Sequence, residues 1–496
     1  MLPIMDSVAA KGPFAYLTRM RILKKVAIGL LAVVLVLAAA GWWILRGSPA
    51  ELTVEQVTGT TPELAKPNPQ TIPTVQVAKP VGWPEGAAPQ AAEGLVVNRF
   101  AEGLEHPRVI YAMPNGDILV SEANAPERVV AGGGAITNWI AGFLFSRAGA
   151  SVPSPNKVVL LRDADGDGVA EERHELLTGL SSPSGLAWRN GKLYVANHDA
   201  VLRYDYAEGA NAVTGEATKL VDLPPAGNHW MRNLILSDDG TKLYIAVGSA
   251  SNIAEAGMEI ERNRAAIHEF DLASGQARVF GGGLRNPNGL DWNPWNGELW
   301  VTVNERDQLG SDLVPDYLTN VTVGANYGWP WVYWGMIIDE RVEHPMPNYL
   351  LEYSRKPEYA LGPHVAALGV TFTREGSRMG TAFGQGAFVA RHGSWNRKPA
   401  AGYDVIFVPF DERGNPLGKP TPVLSGFLKD NGDTHGRPTW VAWDKSGALL
   451  VSDDTANIIW RVIAPDAQPA PAPKRATGTS MPPQKNLQAP RPKLSN

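Results

Sequence analysis

Histidine and arginine recur in this chain just ahead of short apolar runs. His106 precedes Pro107-Arg108-Val109-Ile110-Tyr111, and the pair His229-Trp230 precedes Leu234-Ile235-Leu236. Arg285-Asn286 opens Pro287-Asn288-Gly289-Leu290, His364 lies slightly ahead of Ala367-Leu368-Gly369-Val370, and His435 with Arg437 precedes Thr439-Trp440-Val441. Ser182 holds the matching place before Gly185-Leu186-Ala187. An imidazole can take a hydroxyl proton near neutral pH without tuning. A guanidinium binds carboxylates in bidentate fashion and stabilises negative charge developing on an oxygen. Gathered at one place, these side chains would form a dense polar site. Scattered, they would only satisfy backbone groups at strand ends.

What would gather them is a repeat. Each apolar run is followed by a Gly-bearing turn and a second β-favouring run: Asn115-Gly116 before Ile118-Leu119-Val120, Asn190-Gly191 before Leu193-Tyr194-Val195, Asp239-Gly240 before Leu243-Tyr244-Ile245, Asn296-Gly297 before Leu299-Trp300-Val301, and Ser446-Gly447 before Leu449-Leu450-Val451. Ala367 to Phe372 reaches Ala387-Phe388-Val389 only after a longer insertion. A Gly turn between two such runs is a hairpin signal. Further strand-like runs follow several copies, for example Ala266–Phe270 and Ile458–Val462. Six units of three or four strands predict an all-β fold, a six-bladed β-propeller over 95–464. Tryptophan falls repeatedly inside the units, where it should pack blade on blade. Equivalent positions in such a fold share one face around one axis, so the His and Arg positions should converge at one mouth of the central channel.

The rest of the chain sorts by composition. Arg19, Arg21, Lys24 and Lys25 precede an uncharged apolar run, 26–45, which has about the length a bilayer core requires. Positive residues ahead of it keep 1–25 cytoplasmic and predict a transmembrane signal anchor in a bacterial inner membrane, single-pass, with the propeller facing the periplasm. Ala38-Ala39-Ala40 offers a cleavage motif, but cutting there would leave an apolar new terminus, so an uncleaved anchor is the expectation. Residues 46–94 read as a Pro/Ala-rich linker and 465–496 as a disordered tail. No cysteine is present, which removes disulfides, thiolate metal sites and covalently attached haem. The formal net charge of -5 and the lack of a basic stripe argue against nucleic acid.

Two stretches have metal-ligand character. Asp163-Ala164-Asp165-Gly166-Asp167-Gly168 alternates carboxylates on a tight backbone, the front half of a calcium loop. His174 stands where an EF-hand ends in Glu, so a calcium-loaded hairpin turn between strands, structural in role, competes with a metal-free solvated turn. Asn304-Glu305-Arg306-Asp307-Gln308 follows a strand and reads either as a cation-holding loop or as a surface ion-pair group.

Leu284-Arg285-Asn286-Pro287-Asn288-Gly289-Leu290 resembles a signature of the soluble glucose/sorbosone dehydrogenases, and Ala325-Asn326-Tyr327-Gly328-Trp329-Pro330 resembles the run that follows it there. Pro315-Asp316-Tyr317-Leu318 and His392-Gly393-Ser394-Trp395-Asn396-Arg397 are most like the L-sorbosone dehydrogenase branch. The resemblance covers about 95–463 and implies oxidation of a sugar by pyrroloquinoline quinone (PQQ) over calcium, with electrons passed to a separate acceptor. It implies that His229 is the general base, that Arg285 lies near the quinone carbonyl receiving the hydride, and that Asn286 lies beside the cofactor. Arg437 matches an arginine binding the quinone carboxylates. His435 and His392 fall near a second such arginine and a cofactor-binding lysine, and the residues differ. The backbone carbonyls of Asp307 and Gln308 fall where relatives hold calcium with a Gly-Pro pair. A non-catalytic carbohydrate- or protein-binding propeller, and a calcium-dependent lactonase using Glu305 and Asp307, are the alternatives.

Overall fold

The computed structural model describes residues 13–126 and 134–476. They fall into two units, one ending at Ser48 and one beginning at Pro49.

The first unit is helix α1, Pro13–Leu45. Within it, Met20–Ala39 is long and apolar enough to cross a membrane, and its side chains are exposed. The helix starts well ahead of the apolar run at 26. Leu, Arg, Met and Lys are all good helix formers, and Pro13 suits a first helical position. Residues 1–12 of the expected cytoplasmic segment lie outside the described residues.

The second unit is a ring of six sheets of four or five strands, antiparallel but for a short parallel pairing of Gly281 and Gly282 with Ala325 and Asn326 in the third. Their innermost strands are Pro107–Ala112, Leu186–Arg189, Leu234–Leu236, Asn286–Trp292, Ala367–Phe372 and Pro438–Trp443, and these begin blades 1 to 6. Each inner strand touches the next in cyclic order, the last returning to the first. The fourth strand of blade 6 is Val96–Glu102, paired with Ile458–Ile463, so the amino-terminal strand of the ring closes the carboxy-terminal blade. Gln90–Ala91 adds a fifth strand to blade 5.

The repeat's glycines explain how the inner strands approach one another. A Cβ on Gly185 would lie 2.6 Å from Arg232 O, and one on Gly289 would lie 2.3 Å from Leu368 O. Between neighbouring blades lie six apolar clusters, holding Trp230 and Trp440 between blades 6 and 1, and Trp295 and Trp300 between blades 4 and 5. Indole N–H groups add stitches: Trp292 donates to Leu236 O and Trp443 to Phe372 O, each at 2.8 Å. The tryptophans thus pack blade on blade.

The 46–94 stretch, read as a linker, is laid on the ring from Ala50 onward. Ala50 N donates to Lys398 O, Gly59 pairs both ways with Ala360, Asn68 N donates to Leu309 O, and Gln76 N donates to Trp395 O. Val57, Thr58, Thr74 and Ala78 are buried. Low complexity hid this, because a strap that borrows its backbone partners from loops needs no strand periodicity of its own. The start of the tail behaves alike: Ala470 and Ser377 bond, and Ala476 N donates to Trp295 O. The remainder, 477–496, lies outside the described residues.

Candidate active site

In each blade the inner strand starts, and the second strand ends, at the same end of the ring. Residues ahead of the inner strands therefore meet the loops joining second to third strands. His106, His229, Arg285, His364 and Arg437 are of the first kind; Asp307, Gln308, His392 and Asp454 are of the second. All lie at one mouth. The Asp163–Asp167 turn joins a third strand to a fourth and lies at the opposite end.

His229 is half-buried, with Nδ1 2.9 Å from Ser249 O and 3.0 Å from Ser249 Oγ. Ser249 Oγ donates to Ser251 O at 2.7 Å, and Ser249 N donates to Arg285 O at 2.8 Å. A carbonyl can only accept, so Nδ1 carries the proton of the neutral ring and Nε2 is the basic nitrogen. Gly248 makes room for the pair beside it: a Cβ there would lie 2.7 Å from His229 Cβ and 2.3 Å from Asn286 Oδ1. Asn286 donates to Asn304 Oδ1 at 3.1 Å, and Asn304 donates to Ala367 O at 2.7 Å.

Arg285 is 4% exposed and its N–H groups are turned into the protein. They reach Asn252 O (3.1 Å), Asn252 Oδ1 (2.9 Å), Glu305 O (2.5 Å) and Asp307 Oδ2 (3.0 Å), with Asn304 O at 3.5 Å. The direct catalytic contact expected of Arg285 is therefore corrected: it braces the Asp307 loop. His364 meets the other Asp307 oxygen at 3.2 Å and Gly310 O at 3.0 Å. Burial alone would raise the Asp307 carboxyl, but Arg285, His364 and His229 outweigh it and hold the pKa below its ordinary value. Beneath them Asp316 accepts from Glu305 N and Ala366 N, both at 2.7 Å, and burial pushes its carboxyl up to about 7.

Across the mouth, Asp454 accepts from His392 Nε2 at 2.9 Å and pairs with Arg108. Burial would raise this carboxyl too, yet His392, Arg108 and His106 hold it well below the carboxylate range. Burial and the neighbouring Arg437 push His392 down to about 4, so its ring is neutral at neutral pH. Arg108 also lies over the Trp230 ring, 5.3 Å from its centroid, which joins this group to the His229 segment. Arg437 is half-buried; Nε donates to His392 O and Nη2 to Gly393 O, both at 3.0 Å, and the guanidinium lies over Tyr403 at 5.5 Å. Among the described residues no carboxylate forms an ion pair with it.

Three expected ligands, His435 and the Asp307 and Gln308 carbonyls, are engaged by other parts of the chain. His435 turns away: Nδ1 meets Gly82 O at 2.8 Å and the ring stacks on Trp83 at 4.7 Å, so the strap claims it. The Asp307 and Gln308 carbonyls do not form an open cation cradle. Asp307 O accepts from Arg341 Nη1 (2.9 Å) and Asn252 Nδ2 (3.3 Å); Gln308 O accepts from Arg341 Nη1 (3.1 Å) and Gln70 N (3.0 Å). A carbonyl has two lone pairs, and each here faces two donors. Arg341 is itself aimed by Asp339, at 2.8 and 2.7 Å. Calcium does not fit this pair as it stands. The lactonase reading also loses its ligands, because Glu305 pairs with Arg306 at 2.9 Å and Asp307 with Arg285. Asp163, Asp165, Asp167 and Glu171 do converge, with ligand oxygens within 4.8 Å of one another.

Sequence reasoning missed Asp454, Asn252 and Arg341. Asp454 is the first residue after a second strand, as His392 is, and that register could have flagged it. Arg341 comes from an insertion outside the repeat and carried no signal.

Comparison with known proteins agrees with the geometry. The family model described as TrAA12-like matches residues 157–322 and 350–464, and the chain belongs to that family. A pyrroloquinoline quinone-dependent sugar dehydrogenase of Hypocrea jecorina is 24% identical over 427 residues, 75% of this chain and 89% of the relative. A calcium structure of the Trichoderma reesei carbohydrate-active enzyme family AA12 superposes with a TM-score of 0.62 at 21% identity, over 78% of this chain and 98% of that one. The holo PQQ domain of pyranose dehydrogenase from Coprinopsis cinerea does so with a TM-score of 0.60 at 20% identity, over 78% and 100%. The resemblance to PQQ-dependent sugar dehydrogenases therefore holds at family level, and these matches do not single out the sorbosone branch.

Proposed function

We propose that this protein oxidises an aldose-type sugar with PQQ in the bacterial periplasm, held to the inner membrane by α1, and passes the electrons to a separate acceptor. The observation that carries the reading is Arg437: a half-buried cation at the mouth whose partners are two carbonyls and a tyrosine ring. PQQ bears carboxylates, and such an anion would complete this guanidinium with charge-assisted hydrogen bonds. His392, neutral and tied to Asp454, fixes the backbone carbonyl against which Arg437 is set. When bound, PQQ supplies the carbonyl carbon that accepts a hydride from the sugar.

The chain's own residues do the rest. His229 Nε2 takes the sugar hydroxyl proton while Ser249 holds the opposite nitrogen and keeps the tautomer. Asn286, braced by Asn304, sits beside His229 and orients the reacting groups. Arg285 and His364 hold Asp307, and Arg341 holds the neighbouring carbonyls, so the loop keeps its shape while substrate exchanges. Calcium suits the Asp163–Glu171 turn, where it would be structural and would take no part in the chemistry.

The test is the purified full-length protein with PQQ, an aldose panel and a dye acceptor. Dye reduction with at least one sugar, lost in His229→Ala, is the expected result. Sugar binding with neither bound PQQ nor turnover would replace this reading with the non-catalytic one.

A further inference from the structure

Helix α2, Ala135–Arg147, lies in the loop joining the second and third strands of blade 1, at the mouth end of the ring. Its sequence, Ala-Ile-Thr-Asn-Trp-Ile-Ala-Gly-Phe-Leu-Phe-Ser-Arg, has no charge before its last residue. Trp139 is 74% exposed and Phe143, one turn on, is 63% exposed; Phe145 is 36% exposed and Val152, in the same loop, 51%. Side chains four apart lie on one helix face, so an indole and a phenyl ring are presented together to the outside. A monomeric water-soluble ring has little reason to show them.

The helix is nonetheless anchored. Arg147 Nε donates to Val77 O at 3.2 Å, and Asn124 Nδ2 donates to Val152 O at 2.7 Å and Ala150 O at 3.2 Å. The loop is held to blade 1 and to the strap while Trp139 and Phe143 stay outward.

We propose that α2 docks on a lipid bilayer surface, with Trp139 and Phe143 inserted at the headgroup boundary. Three observations favour lipid over protein as the occupant. Thirteen residues rise roughly 20 Å, too short to cross a bilayer and suited to lying along it. Two cations lie near these rings, Arg147 at the helix end and exposed Lys79 two residues past its partner Val77, and both suit anionic headgroups. The chain also carries, in Met20–Ala39, a segment long and apolar enough to cross a bilayer, so a membrane is a surface it is equipped to meet.

The chain has no cysteine, so a single Phe143→Cys gives a unique labelling site in the full-length protein. A nitroxide there, with the protein in nanodiscs of phosphatidylethanolamine and phosphatidylglycerol, should be relaxed by oxygen more than by a water-soluble nickel chelate. The same label at Asp238→Cys, in an exposed turn at the opposite end, should show the reverse order. A label at 143 as open to the chelate as the one at 238 overturns the proposal. So does dipolar broadening, which would assign the face to a second copy. Should Phe143→Cys fail to fold, quenching of wild-type fluorescence by brominated lipid, reduced in Trp139→Phe, reads the same contact; no difference between those two proteins also overturns it.

Discussion

At the scale of single residues, His229 and Arg437 divide the work, and their variants should fail differently. His229→Gln removes the basic nitrogen and should lower kcat by about 100-fold or more while PQQ affinity changes little, since a positioned base contributes roughly 10²–10⁴. Arg437→Ala should weaken PQQ binding by about 10- to 100-fold, in the range of a lost charged hydrogen bond, with Arg437→Lys recovering only part because an ammonium lacks the planar fork that faces two carbonyls and a carboxylate at once. Tryptophan fluorescence titration with PQQ separates the two. His392 adds a pH dependence with a definite sign. Its folded pKa is depressed below the ordinary value, so the folded form resists protonation that the unfolded chain accepts. Stability from this group is present above the ordinary histidine pKa and is lost as pH falls toward about 4. Melting temperature should decline across that window, and His392→Gln should flatten the decline.

At the scale of elements, the hairpin repeat was legible because its period, turn residues and apolar runs all pointed one way. So was the mouth, because a propeller turns sequence offset into a shared face. His229 beside Asn286 follows from that, and both are adjacent here across Gly248. What stayed hidden came from outside the repeat. The strap has no periodicity, yet Thr74 O accepts from buried Asn396 Nδ2 at 2.7 Å and Asn396 Oδ1 accepts from Gln308 N at 2.9 Å. One amide therefore ties strap to site loop. Asn396→Leu removes both bonds and leaves Gln308 N facing an apolar side chain, which should cost about 1–3 kcal/mol. It should also loosen PQQ binding, measured by thermal melts with and without cofactor. Arg341 was equally invisible, and its bond to two carbonyls explains why a residue match to a calcium-holding pair did not carry over. Chelator added to the PQQ-loaded protein should leave cofactor affinity unaltered, and Arg341→Ala should not. Gly289→Ala, driven into Leu368 O, tests the repeat itself: overpacking of this kind costs about 1–3 kcal/mol, read as a lower urea midpoint.

At the scale of the whole molecule, the two ends of the ring have separate tasks. One end gathers the titratable groups and the outward aromatic helix; the other carries the turn with four converging acidic side chains. The closing strand Val96–Glu102 has a consequence for how such a chain comes to be. Its hydrogen-bond partner, Ile458–Ile463, is among the last parts of the domain to leave the ribosome. Until that late segment arrives, blade 6 has no finished sheet and the first strand waits with an open edge, prone to stray pairing. Assembly of the toroid is thus a late event that joins beginning to end: the circle stays open until that last strand arrives to make it permanent.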